Sequence, residues 1–247
     1  MSDVDATPDA AAEPPMLLPW HARELRSILG ARASLPHAVL FVGAAGIGKR
    51  NLAMNVAQAL LCETPRTDGT ACGACASCRY FAAGQHPDFR LLERATTDAE
   101  GEVKVREQIP VDDVRELRDL VELTTHRGGN KVALIDPAEA MNHAAANALL
   151  KTLEEPPPNT YLLLVSHQPG RLPATIVSRC SRVVVPPPSR DAAVAWLAAH
   201  GVDAPAGVLA QAQGAPLAAL ALADRDTQVE RGQWLGALAR PRALSPS

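Results

Sequence analysis

Two groups of residues in this chain have the types and spacing to do chemistry. Cys62, Cys72, Cys75 and Cys78 form C-x9-C-x2-C-x2-C. Two consecutive C-x2-C steps bring three thiolates onto a tight turn, and the fourth can come from the end of the preceding helix. Four thiolates with no open position suit a closed, tetrahedral, structural zinc ion. An iron–sulfur cluster uses the same ligands, and disulfides or unrelated buried thiols are the plainer alternatives. Cys180 stands apart and is expected to be a small buried side chain. The second group is GAAGIGKR, residues 43–50, which puts Gly43, Gly48 and Lys49 at the spacing of a phosphate-binding loop, with Gly46 between them. In such a loop the backbone N–H groups cradle phosphates at a helix N-terminus and the lysine neutralises the β and γ oxygens. The following position should offer a hydroxyl to magnesium, and here it is Arg50. Its charge opposes a nearby cation but could reach a phosphate directly. ATP or ADP bound without metal therefore stands against a glycine-rich turn that holds nothing.

A working site needs a second acidic part at the end of another strand. Asp136 closes VALID and is the suitable residue near magnesium. ATPases of the AAA+ type follow it with a glutamate that orients the attacking water, whereas here Pro137 follows. Glu139, two positions further, points elsewhere on any regular backbone. Loss of a positioned general base costs roughly 10²–10⁴ in rate. The missing hydroxyl and the missing base agree, and hydrolysis by this chain is not expected.

The elements that must position these groups are legible from periodicity. WHARELRSILGARA has helical spacing; HAVLFVG (37–43) is a buried strand entering the glycine loop, and KRNLAMNVAQALLC (49–62) is an amphipathic helix leaving it. DFRLLE (88–93), KVALID (131–136), YLLLVS (161–166) and SRVVVP (181–186) are four further strands. Between them, PVDDVRELRDLVEL (110–123) and AAANALLKTLEE (144–155) are helices, and residues 94–108 form a charged surface connection. Five apolar strands alternating with helices predict an α/β fold, a parallel sheet covered on both faces with a zinc-module insertion at 62–78. PPPS (186–189) marks a boundary, beyond which helices at about 189–200, 204–213, 215–223 and 226–239 predict a small all-α lid. The expected organisation is a disordered tail over 1–16, an α/β domain over 17–187, a helical domain over 188–240 and a tail over 241–247.

Composition narrows the function classes. The chain has 247 residues, 47% hydrophobic and 3% aromatic, so its core is built from Ala, Leu and Val. A net charge of −3 argues against a dedicated, strongly basic nucleic-acid binder. No apolar run of about 18 residues spans a membrane, and the acidic, Ala/Pro-rich start lacks the features of a secretory signal. A cytoplasmic, reducing setting is expected, which disfavours disulfides.

LPHAVLFVGAAGIGK, the four-cysteine insertion, AAANALLKTLEEPP and LPATIVSRC together resemble bacterial clamp-loader subunits of the AAA+ superfamily. That family loads the ring-shaped sliding clamp onto primed DNA for DNA polymerase III. The resemblance spans about 18–223 and implies an AAA+ type five-stranded parallel sheet with a helical lid. Its motor subunits, gamma and tau, carry the hydroxyl after the lysine, the glutamate after the aspartate and an arginine in a small-domain G-x-x-R. This chain has Arg50, Pro137 and Leu217 there, and so is similar to the non-hydrolysing delta-prime type. In the family the SRC arginine lies at a subunit interface and reaches the γ-phosphate of the neighbouring motor. The resemblance thus implies that Arg179 is an arginine finger in trans, framed by Ser178 and Cys180. Implied partners are the motor subunits and the delta subunit, the clamp indirectly, and primed DNA through phosphate contacts. The chain would be part of the DNA-directed DNA polymerase holoenzyme without being catalytic alone. Family members continue into a helical collar domain, whereas this sequence stops at Ser247 after the second domain. Two other readings compete: an active motor-type ATPase in which Arg50 and Glu139 fill the missing roles, and a zinc-ribbon nucleic-acid binder, thinly supported by Arg66 and Arg79.

Overall fold

The computed structural model describes residues 15–97, 103–123, 125, 127 and 129–223. It divides into two compact units, Met1–Gly43 with Lys49–Val185, and Ala44–Gly48 with Pro186–Ser247.

In the first unit, α1 (Ala22–Gly30) is followed by β1 (Ala38–Val42), whose five residues are all buried. Helix α2 (Lys49–Leu61) leads to the cysteine segment and α3 (Ala76–Ala82). Next come β2 (Phe89–Glu93), β3 (Ala95–Thr97), β4 (Val103–Val105), α4 (Val111–Glu122) and β5 (Lys131–Asp136). Helix α5 (His143–Glu154), β6 (Thr160–Ser166), the single turn α6 (Ala174–Val177) and β7 (Ser181–Val184) complete it. Five strands form one parallel sheet in the order β2-β5-β6-β1-β7. Parallel strands need crossovers, so both faces are covered and the central strands read as unbroken apolar runs. Ala38, Leu40 and Val42 meet Val114 and Leu117 of α4 and Leu149 and Leu153 of α5 on one side. By alternation Val39 and Phe41, both buried, face the other.

Local chemistry sets the helix limits. Asn142 caps α5, its side-chain oxygen accepting from the Ala145 N–H at 2.8 Å, and the helix stops before Pro156–Pro158. Buried Lys131 donates its Nζ to the carbonyls of Val121 and Leu123, satisfying the open end of α4 from the first residue of β5. The segment 94–108, expected to be only a charged connection, contains a two-stranded antiparallel ribbon in which Ala95 pairs with Val105.

The second unit holds α7 (Arg190–Ala199), α8 (Pro205–Gln211) and α9 (Pro216–Ala223), packed around Trp196, Leu197, Leu209 and Ala219. Ser189 caps α7 through the Ala192 N–H at 3.3 Å. Ala44–Gly48 belong to this unit. The Gly46 carbonyl accepts from the Leu217 N–H at 3.0 Å, and a Cβ at Gly46 would lie 3.0 Å from the Ala218 Cβ. With φ at +73°, Gly46 is required both by conformation and by this close approach. The helix expected at 226–239, the tail expected at 241–247 and all but residues 15 and 16 of the tail expected at 1–16 lie outside the described residues. Among the described residues no single helix is long and apolar enough to cross a membrane.

Candidate functional site

Cys62 directly follows α2, Cys75 caps α3 and Cys78 lies one turn inside it, so two helix ends and one loop bring the sulfurs together. All four Sγ atoms lie within 4.8 Å of one another, with Cys62 to Cys75 and Cys72 to Cys78 each 3.9 Å apart. A tetrahedron with metal–sulfur bonds of about 2.3 Å has edges of about 3.8 Å, so the donor set fits a metal ion. Backbone N–H groups already point at the sulfurs: Cys72 to Cys62 at 3.3 Å, Cys75 to Cys72 at 3.3 Å and Cys78 to Cys75 at 3.4 Å. The Thr64 hydroxyl, then the amides of Ala74 and Cys75, pull the Cys72 thiol down to about 5, toward the thiolate that binds metal. Burial pushes the thiols of Cys62 and Cys78 up. Behind the cluster His86 is buried, its Nδ1 accepting from the Asp88 N–H at 3.1 Å and its Nε2 facing Ser77 Oγ at 2.8 Å. Both ring nitrogens are used, which makes His86 a support for the module rather than a ligand.

Lys49 opens α2 and is only 2% exposed. Burial lowers its ammonium pKa to about 8, against the pull of Asp136 and Glu139. Arg50 turns toward two carboxylates, its Nη1 lying 2.6 Å from Glu93 Oε2 and 3.4 Å from Asp136 Oδ2. Glu93 and Asp136 are register partners at the C-terminal ends of β2 and β5, so their side chains project on the same face. Asp136 is 7% exposed, and burial raises its carboxyl pKa against the opposing charges of Arg50, His167 and Lys49. The Asp136 Oδ1 is buried and makes no hydrogen bond. Glu139 sits on a 3-10 turn, and its Oε1 accepts from the backbone N–H groups of His167 at 2.9 Å and Gln168 at 3.1 Å. Its carboxylate is therefore held by the chain that follows β6. Glu93 went unnoticed in the sequence, although it ends a strand just as Asp136 does.

Inside the second unit Gly46 meets α9, its carbonyl accepting from the Leu217 N–H.

Arg179 follows α6. Its Nη1 donates to the Thr175 carbonyl at 3.0 Å and its Nη2 lies 2.7 Å from Glu154 Oε1 at the end of α5. The Arg179 side chain is 36% exposed. Ser178 Oγ donates to the Thr175 carbonyl at 3.2 Å, so serine and arginine share one anchor. Cys180 is half-buried against the core, and burial pushes its thiol to about 11, leaving it unreactive at neutral pH.

A parallel five-stranded sheet with a glycine loop after its inner strand β1, an aspartate ending β5 and a small helical unit make an α/β fold of the AAA+ type. The family model for the DNA polymerase III delta subunit matches residues 21–189. The DNA polymerase III subunit delta′ of Pseudomonas aeruginosa is 47% identical over 221 residues, 88% of this chain and 64% of that protein. The subunit delta′ of Escherichia coli is 37% identical over 206 residues, 82% of this chain and 59% of that protein. Among solved structures, a gamma subunit-related protein of Thermotoga maritima aligns over 82% of this chain and 58% of its own, with a TM-score of 0.51 and 22% identity. The chain belongs to the DNA polymerase III delta′ family. It spans about three-fifths of the length of these relatives.

Proposed function

We propose that this chain acts as the non-hydrolysing subunit of a cytoplasmic clamp loader. It would contribute Arg179 in trans to the γ-phosphate site of a neighbouring motor subunit, so that the sliding clamp is loaded on primed DNA. The observation that carries the non-hydrolysing part is the Arg50 guanidinium set against Glu93 and Asp136, with Pro137 where a water-orienting acid would stand. The reading of an active motor loses its substitutes, because Arg50 is engaged by carboxylates and Glu139 by backbone N–H groups.

The finger reading is supported by an exposed guanidinium anchored at one nitrogen on a carbonyl and countered at another by a surface carboxylate. A planar fork held this way suits spread phosphate charge. The cysteine cluster is proposed to hold structural zinc, which would tie α2 to α3 without an open coordination position. The phosphate loop serves as a scaffold whose apex receives α9. Motor subunits, delta, the clamp and DNA phosphates are the proposed partners.

The test is Arg179→Ala in the assembled loader. Arginine fingers are worth roughly 10³–10⁵ in rate in other phosphate-transfer systems, so DNA-stimulated ATP turnover should collapse while the complex still co-elutes. Turnover at the wild-type rate would remove the finger role.

A further inference from the structure

We infer that the Arg50 guanidinium is a built-in counter-cation for the Glu93–Asp136 carboxylate pair, standing where this kind of site would otherwise take a divalent metal ion. The inference rests on the non-hydrolysing reading of the loop and is independent of Arg179.

Two strand ends create the problem that Arg50 solves. Register pairing of β2 with β5 sets Glu93 beside Asp136 on one face. Like charges so placed disfavour each other, and Asp136 is buried to 7% exposure. A buried carboxylate needs a partner of opposite charge or must take up a proton. One nitrogen of Arg50 reaches both, at 2.6 Å and 3.4 Å. The other charged or titratable groups facing Asp136 are Lys49, whose ammonium burial itself opposes, and His167, whose ring burial keeps toward the neutral form; Glu139 faces these two from the turn after β5. Removing Arg50 therefore leaves Lys49 as the compensating cation in this group.

A divalent metal does not fit here as the chain stands. The guanidinium already lies within contact distance of both carboxylates, and a second cation would meet its charge. The guanidinium arises from the first turn of α2, the position from which a Ser or Thr hydroxyl would point the same way. Arg50→Thr would thus replace a cation by a neutral oxygen and leave three hard oxygen donors, the hydroxyl and two carboxylates, facing the space the guanidinium vacates. Magnesium and manganese prefer such donors.

The test uses the full chain, zinc-saturated and nucleotide-free, with melting measured with and without magnesium or manganese chloride. Wild type should be indifferent to both metals. Arg50→Thr should melt about 5–10 °C lower without added metal, regain at least half of that loss with either one, and bind one manganese ion seen by electron paramagnetic resonance. Asp136→Asn in the Arg50→Thr background should abolish manganese binding and, by removing the buried charge, recover melting without metal. If Arg50→Thr alone does not fold, the double variant must fold. A double variant that also fails, a wild type stabilised by magnesium, or an Arg50→Thr chain unmoved by either metal would each overturn the inference. Normal turnover in the Arg179→Ala loader would leave this result standing, so the two readings fail separately.

Discussion

Lys49→Met makes the role of the phosphate loop measurable. A lysine that holds a nucleotide is worth keeping charged, but a lysine in a scaffold loop, 2% exposed, costs stability. Its pKa in the fold is about 8 against 10.5 for the free side chain. The folded value is the lower of the two, so the native state disfavours the proton. The lysine costs nothing above pH 10.5, its penalty grows as the pH falls from 10.5 to 8, and it is constant below that. At 1.36 kcal/mol per unit the penalty is about 3 kcal/mol at pH 7 and about 1 kcal/mol at pH 10. Lys49→Met removes the charge and keeps the apolar stem, so it should be the more stable chain by those amounts. Urea unfolding of both chains at pH 7 and pH 10 measures the difference, and titrations common to the two cancel. A variant no more stable than wild type at pH 7, or a gap that does not narrow at pH 10, would refute the argument from burial. In the assembled loader the same variant should turn over ATP at the wild-type rate. A large loss there would mean that this loop does hold nucleotide.

Metal analysis of the purified chain should find about one zinc per chain. Stripping it should lower stability by several kcal/mol, because four buried or half-buried thiols would lose their common ligand; iron and a visible-range absorption would instead identify a cluster. Glu154→Gln should change stability by less than about 1 kcal/mol, since both partners of its ion pair with Arg179 are partly exposed. The loader carrying it should keep at least wild-type ATP turnover, because Arg179 retains its Thr175 carbonyl and no longer has to leave a carboxylate. A fall to the level of Arg179→Ala would instead make Glu154 a positioning residue for the finger.

The chain order alone determined the five strands of the main sheet and the meeting of the four cysteines. Runs such as AVLFV and KVALID are apolar on both faces, which only a covered parallel sheet accommodates, and C-x2-C steps close a turn whatever surrounds them. The strand–loop–helix context of GAAGIGKR and the defects at Arg50 and Pro137 were equally local. The β3–β4 ribbon escaped notice because three residues per strand give too little alternation in a charged stretch to register a period. Which carboxylates Arg50 meets was decided only by the fold. Its partners lie 43 and 86 residues away, and they share a face because parallel register aligns the ends of β2 and β5. The same holds for Glu154, which meets Arg179 where the end of α5 lies beside the turn after α6, and for Leu217, which delivers its backbone N–H to Gly46. Periodicity and spacing report what a segment can become. Which charges end up facing one another depends on crossovers that no local pattern encodes.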